Sequence, residues 1–369
     1  MSSRRYEVLA MVGEGGMGAV YHARLRGAGA FEKEVALKIL VDEGLSEADD
    51  MARRLRDEAR ILGMIRHRAV VAVDGLVRLS DRWAVVMEYI DGVDLLEIRE
   101  HSGALPVGVA LEVVAEVAGA LHAAFHATGP EGRPLSLMHR DIKPGNIRIT
   151  TTGDVKVLDF GVAKGDFAGR EAETRQASFG SLGYVPQERI DGIESPKGDV
   201  YALGVVLYEM LSGERYGQTQ LSPGRHERQL AERLKLLEER SVPPHVLDLL
   251  AELMAFEPDD RPDPRDIERR ALDLRAGIPD VRMRDWAEAN IRQIQIVSRN
   301  TLPSAGLTGQ VLAEEDGDGA RGDPMSQPLA PSSPAQLAIA GALALVVTLI
   351  LALGAVAVAT VGILIGRAL

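Results

Sequence analysis

HRDIKPGNIR, residues 139–148, places Asp141, Lys143 and Asn146 within six positions. Such a loop offers a carboxylate to a hydroxyl proton, a cation to a transferring phosphoryl group and an amide oxygen to a metal ion. Thirteen residues beyond Asn146 comes Asp159-Phe160-Gly161, a second carboxylate on a sharp glycine turn. Upstream lie GEGGMGAV at 13–20 and VALK at 35–38. Phosphoryl transfer needs positioned phosphates, charge neutralisation by metal and an oriented nucleophile, and these segments carry residues of each type.

Tyr6–Met11 and Val20–Arg26 read as strands flanking the glycine-rich turn, where Gly13, Gly15 and Gly18 let backbone approach phosphates with no Cβ in the way. A dinucleotide-binding turn is the rival for a lone GxGxxG. That rival wants strand, turn and then helix, whereas Val20 and Tyr21 continue as strand and VALK follows. Lys38 lies in the apolar run Val35–Val41, a buried strand by composition, with a surface lysine as the alternative. A buried lysine needs a partner. Ser46 and Asp49 make a capping box, and Leu55, Ala59 and Leu62 make one helical face. Glu58 rides on that helix, either as the partner of Lys38 or as a solvated charge beside Arg54 and Arg56.

In this chain order the motifs resemble the eukaryotic-type protein kinase family over residues 5–275, and Lys143 two positions after Asp141 resembles its Ser/Thr branch. The resemblance implies an α+β, two-lobed fold, with a small β-rich N-lobe and a larger helical C-lobe. It implies ATP and Mg²⁺ as cofactors and protein substrates as acceptors. Asp141 would then orient the substrate hydroxyl and accept its proton, and Lys143 would stabilise the γ-phosphoryl. Lys38 would pair with Glu58 and the ATP phosphates, while Asn146 and Asp159 would bind magnesium. Gly13, Gly15, Gly18 and Val20 would lie against the nucleotide. Met87-Glu88-Tyr89-Ile90 resembles the hinge between lobes, with backbone groups at Glu88 and Ile90 receiving the adenine and Met87 guarding the pocket behind it. His139 reads as a structural core residue.

Arg140 in such a family receives a phosphate placed between Asp159 and Glu188, a polar and glycine-rich stretch. Its hydroxyls are Thr174, Ser178 and Ser181. Ser181 matches a residue that contacts the catalytic carboxylate, which leaves Thr174 and Ser178 as the expected phosphosites. The family ends this segment Ala-Pro-Glu, whereas this chain has Pro186-Gln187-Glu188, a departure that bears on the substrate-docking surface. Glu188 keeps its expected ion-pair partner, Arg261. Ser195-Pro196 starts a helix with an N-cap and a first-turn proline, and Asp199 in that turn either favours the helix dipole or is buried against the catalytic loop. Val107–Thr128 carries a long helical pattern, and GPEGRP at 129–134 reads as a tolerated surface insertion.

The net charge of −12 with no dominant basic face argues against a nucleic-acid partner, and the absence of cysteine excludes disulfides and a thiol nucleophile. The scattered histidines lack metal-ligand spacing. Residues 276–336 read as a juxtamembrane segment with one short helix over 277–300, then a disordered linker over 301–336 rich in Gly, Pro, Ser and acid. Leu337–Ile365 has no charged residue and exceeds the roughly 18–20 residues that span a bilayer, so a transmembrane helix is expected over 337–366. Gly362 and Gly366 permit close helix packing. The expected localisation is single-pass in a membrane with the catalytic domain in the cytoplasm, where ATP is, and with a transient homodimer as partner. A chain ending near Arg275–Asn300 is expected to be soluble and competent. Two alternatives to a protein kinase stand beside it: an inactive docking module and a small-molecule kinase. The presence of Lys38, Asp141, Asn146 and Asp159 together disfavours the first, and Lys143 with a complete activation segment disfavours the second.

Overall fold

A computed structural model describes residues 4–15, 18–39, 62–79, 82–129, 132–160, 182–299 and 306–314. The helix expected to carry Glu58, the activation segment with Thr174, Ser178 and Ser181, and the apolar run 337–366 all lie outside the described residues.

The N-terminal lobe is an antiparallel sheet of β1 (Arg5–Gly15), β2 (Gly18–Arg26), β3 (Glu32–Ile39), β4 (Val73–Leu79) and β5 (Arg82–Glu88). Alternation decides its inner face: Tyr6 and Val8, then Tyr21, Ala23 and Leu25, then Val35, Leu37 and Ile39 all turn into one buried cluster. Val77, Leu79, Ala84 and Val86 complete it from β4 and β5.

A sixth strand comes from far downstream. Residues 306–314, expected to lie in a disordered linker, carry β9 (Val311–Ala313), which pairs antiparallel with β1 in the register Arg5↔Ala313, Tyr6↔Leu312 and Glu7↔Val311. The strand order is β4-β5-β3-β2-β1-β9, and Glu314 also bridges to Leu79 at the opposite edge. The sheet thus curls round on itself, and β9 covers the unpaired edge of β1, which would otherwise offer a template to other chains. Leu312 is buried in the same cluster, Leu307 packs against it, and Gly309 N–H and Gln310 C=O bond Val8 at 2.9 Å each. Burial pushes the Tyr6 phenol up to about 12, with the Glu314 charge adding to the effect.

The C-terminal lobe is built on α1 (Leu95–Ser102), α2 (Val107–Phe125), α3 (Gln187–Ile190), α4 (Pro196–Ser212), α5 (Pro223–Glu239), α6 (Pro244–Leu253), α7 (Pro264–Ala276) and α8 (Met283–Arg299). Asp94 and Glu97 close a reciprocal capping box on α1. Ser195 Oγ accepts from Lys197 N–H at 3.1 Å to start α4. Gly213 ends it at φ 71°, where a Cβ would come within 2.6 Å of the Ala104 nitrogen, so only glycine fits. Helices α2 and α4 are apolar nearly all round because they form the core of the lobe. Helix α2 is long and apolar enough to cross a membrane, yet it is mostly buried by its neighbours. A small sheet of β6 (Gly92–Asp94), β7 (Ile147–Thr150) and β8 (Val155–Val157) brackets the loop between α2 and β7.

Helix α8 is longer than the short helix expected there. It buries Met283, Trp286, Ala287, Ile291 and Ile294 in the C-lobe core, and Gln295 Nε2 donates to Asp91 Oδ1 at 2.9 Å. The folded unit therefore runs past residue 275, and the chain after α7 touches the C-lobe through α8 and the N-lobe through β9.

Candidate active site

The loop 139–146 is held from below by one carboxylate. Asp199, buried at the start of α4, accepts the backbone N–H of His139 at 2.7 Å and of Arg140 at 2.8 Å. Burial pushes its pKa up, against the opposing pull of His139, Arg189 and the two N–H groups. Of its two sequence readings, the catalytic-loop anchor is therefore the one that applies. Arg140 takes a left-handed φ of 66°, a conformation that costs a non-glycine residue about 1–3 kcal/mol unless its surroundings fix it.

His139 is fully buried, and desolvation lowers its pKa, so the ring is neutral. Its Nε2 lies 2.8 Å from the Leu158 carbonyl and its Nδ1 3.2 Å from the Asp141 N–H, which assigns the proton to Nε2. The ring also meets Phe160 at 4.5 Å between centroids. This is the core role expected of it: His139 ties the 139–146 loop to the 158–160 segment.

The functional groups converge above this base. Lys143 Nζ donates to Asp141 Oδ2 at 2.9 Å. Asn146 Nδ2 donates to the Asp141 carbonyl at 2.7 Å and to Oδ2 at 3.1 Å, which leaves its amide oxygen as the acceptor to offer. Asn146 C=O accepts from Leu158 N–H at 2.8 Å, linking this loop to Asp159. Asp159 has φ 50°, the second left-handed residue at the site, and its Oδ1 accepts from Lys38 Nζ at 2.7 Å. Lys38 sits on β3 opposite Val20, and its side chain is only 12% exposed. The pairing of Lys38 with Glu58 lies outside the described residues.

The floor behind Lys38 is apolar, a cavity lined by Val70, Val71, Val73, Val85, Met87 and Phe160. In the glycine-rich turn Gly13 faces Val20 and Gly15 faces Gly18; at φ 138°, Gly18 adopts backbone that side chains rarely tolerate. The Glu88 N–H is already bonded to the Ala72 carbonyl at 2.9 Å and so is not open to a ligand. Its side chain pairs with Lys156 at 2.8 Å, a partner that sequence reading missed. Ile90, the other hinge position, is buried.

The departure at Pro186-Gln187-Glu188 is absorbed by packing. Arg261, fully buried, donates to Glu188 Oε1 at 2.6 Å and Oε2 at 3.1 Å, as expected. The same guanidinium bonds the carbonyls of Ala255, Phe256 and Lys197 and lies over the Tyr201 ring. Gln187 donates its amide to the Phe256 carbonyl as well. Pro186 caps α3 and approaches Gly198.

Arg140 does not stand open. Glu194, in the loop before α4, lies 3.4 Å from Arg140 Nε and accepts from Arg189 at 3.1 and 3.2 Å. Burial works to raise the Glu194 pKa, but the two guanidiniums outweigh it and hold the carboxyl below its usual range. Neither Arg189 nor Glu194 was singled out from sequence, since each reads as a solvated loop charge.

Among the described residues, no three His, Asp or Glu side chains cluster to hold a metal ion unaided. Asn146 and Asp159 instead offer one amide oxygen and one carboxylate, a hard donor set that fits Mg²⁺ when phosphates and waters supply the rest.

Residues 6–271 match the protein kinase domain family. The chain is 35% identical over 271 residues to the tyrosine-protein kinase MasK of Myxococcus xanthus, covering 69% of this chain and 40% of MasK. It is 36% identical over 219 residues to the serine/threonine-protein kinase PknA of Mycobacterium tuberculosis, covering 58% of this chain and 48% of PknA. Against the serine/threonine-protein kinase PrkC of Bacillus subtilis it is 34% identical over 212 residues, or 57% of this chain and 31% of PrkC. The chain thus spans less than half the length of these relatives. A family match over most of the chain meets a site in which Lys38 contacts Asp159 while Lys143 and Asn146 contact Asp141, and on both grounds the chain belongs to the protein kinase family.

Proposed function

We propose that the chain is a Ser/Thr protein kinase that transfers the γ-phosphoryl of ATP to protein hydroxyls. The observation that carries this reading is the Asp141 carboxylate, fixed by Lys143 and Asn146 while Lys38 meets Asp159 across the cleft. The substrate hydroxyl oxygen attacks the γ-phosphorus, the bond to the β–γ bridging oxygen breaks, and ADP leaves. Asp141 orients that hydroxyl and takes its proton. Lys143, already on the same carboxylate, supplies positive charge to the transferring group. Lys38 anchors the α- and β-phosphates, and the Glu88 carbonyl and Ile90 backbone receive the adenine against Val20 and Met87. The turn at Gly13, Gly15 and Gly18 covers the phosphates. Asn146 and Asp159 would hold Mg²⁺, which neutralises phosphate charge when bound.

The choice of Ser/Thr over Tyr rests on Lys143 and on PknA and PrkC, which carry that description, whereas MasK is described as a tyrosine kinase. Acid hydrolysis of radiolabelled product decides between them. Phosphoserine or phosphothreonine is expected, and phosphotyrosine alone would transfer the reading to the tyrosine class.

The length and composition of 337–366 support a single membrane span, and the need for ATP argues for a catalytic domain on the cytoplasmic side. Confinement to one plane raises encounters between copies, which supports a transient homodimer and autophosphorylation at Thr174 or Ser178. Mass spectrometry of enzyme incubated with ATP locates the modified hydroxyls, and an enzyme that phosphorylates an added acceptor yet leaves both hydroxyls unmodified after that incubation would remove this part of the proposal.

A further inference from the structure

The peptide plane that enters Asp141 is fixed at both polar ends. Its carbonyl, belonging to Arg140, accepts from Arg189 Nη1 at 2.9 Å, and its N–H, belonging to Asp141, donates to His139 Nδ1 at 3.2 Å. Arg189 is therefore part of what holds the catalytic carboxylate, although it lies on the short helix α3. Two guanidiniums, those of Arg140 and Arg189, are brought close here and need an anion between them. Glu194 is that anion. It receives two hydrogen bonds from Arg189 and makes an ion-pair contact, without hydrogen-bond geometry, to Arg140 Nε.

The placement of Glu194 is built in. Ile193 N–H bonds the Glu188 carbonyl at 2.9 Å, and Glu188 is itself locked by Arg261. On the other side Ser195 caps α4. The loop 191–194 is thus pinned at both ends and presents the carboxylate to the two arginines.

We propose that Glu194 is a positioning residue for phosphoryl transfer: through Arg189 and Arg140 it holds the left-handed backbone before Asp141, so the chain has basal activity before any activation-segment hydroxyl is phosphorylated. The inference rests on the protein kinase reading and adds to it a resident counter-charge. A phosphate arriving near Arg140 would meet a pair already neutralised, so modification would add little to turnover.

The test uses the full-length chain, phosphatase-treated or preincubated with ATP, with dephosphorylated casein as acceptor. Phosphatase-treated wild type should keep kcat within about threefold of the preincubated enzyme. Glu194→Gln removes the charge and keeps the shape; its phosphatase-treated form should lose about tenfold in kcat with KM for ATP nearly unchanged. Preincubation with ATP should restore part of that loss, and Glu194→Asp should recover most of it without phosphate. Equal kcat for Glu194→Gln and wild type would overturn the inference. So would a wild type silenced by phosphatase, or a loss that tracks a lowered Tm and is not rescued by Asp. A wild type that transfers no phosphate in any state would overturn the kinase reading itself, and the inference with it.

Discussion

Leu312 lies directly across from Tyr6, so the last described strand of the chain completes the sheet that the first one begins. Both side chains are buried in the N-lobe core. Cutting a buried leucine to alanine costs about 2–5 kcal/mol, through lost transfer energy and a cavity. Leu312→Ala should therefore lower Tm by several degrees, and hydrogen exchange in β1 should accelerate more than in α2 or α4. An unchanged Tm would mean that β9 is only a decoration. The same geometry carries the folded unit beyond residue 275. A chain cut near Arg275 loses the buried face of α8, and one cut near Asn300 still loses β9. The form ending after Glu315 should be the more stable of the three in thermal unfolding.

Arg261 and Glu188 form an ion pair with both side chains out of water. Removing one partner from such a pair commonly costs 3–5 kcal/mol, since the other charge is left buried alone. Glu188→Ala should thus lower the urea midpoint markedly and shift the loop that presents Glu194, with a fall in turnover beyond the stability loss. Glu188→Gln, which can still accept from Arg261, should lose less. Identical unfolding curves for Glu188→Ala and wild type would contradict the role assigned to the pair.

Asp94 illustrates a pH effect whose sign can be worked out. Burial pushes its pKa up to about 6 from the model-compound 3.8, although the Glu97 N–H it accepts works the other way. The fold therefore favours the protonated form, so this group's contribution is fully present below pH ~4 and is lost as pH rises through ~6. Asp94→Asn keeps a cap acceptor and removes the ionisation. Its unfolding free energy should match that of wild type near pH 4 and exceed it above pH 6, by on the order of 1–3 kcal/mol. A variant less stable than wild type at pH 7 would show that the capping carboxylate outweighs its desolvation.

The residues of the candidate site were legible because each sits in a short local pattern whose chemistry is printed by residue type: Asp141, Lys143 and Asn146 in one loop, Lys38 in an apolar strand. Strands β1 and β2 were legible on either side of the glycine-rich turn, β3 by its apolar run, α2 by its helical pattern and α4 by its start at Ser195-Pro196. The strand Val311–Ala313 was not, because three residues between glycines and acids carry no period. Their conformation is set by the open edges of β1 and β4, which is tertiary information. Glu194 was hidden for a related reason. One loop carboxylate among many has no signal until Arg140 and Arg189 are seen to converge on it. Helix α8 was underestimated, since Met283, Trp286, Ile291 and Ile294 are diluted by charged residues on the opposite face.

The central claim, that Asp141 and Lys38 carry phosphoryl transfer, is tested most directly by phosphate incorporation from γ-labelled ATP into casein by the full-length chain and two variants. Asp141→Asn keeps the shape of the loop and removes the base, and Lys38→Met removes the charge that meets Asp159. Loss of positioning and charge neutralisation of this kind lowers rates by about 10²–10⁴-fold, so both folded variants should fall by at least that range while wild type turns over. Incorporation at the wild-type rate in either variant would contradict the account.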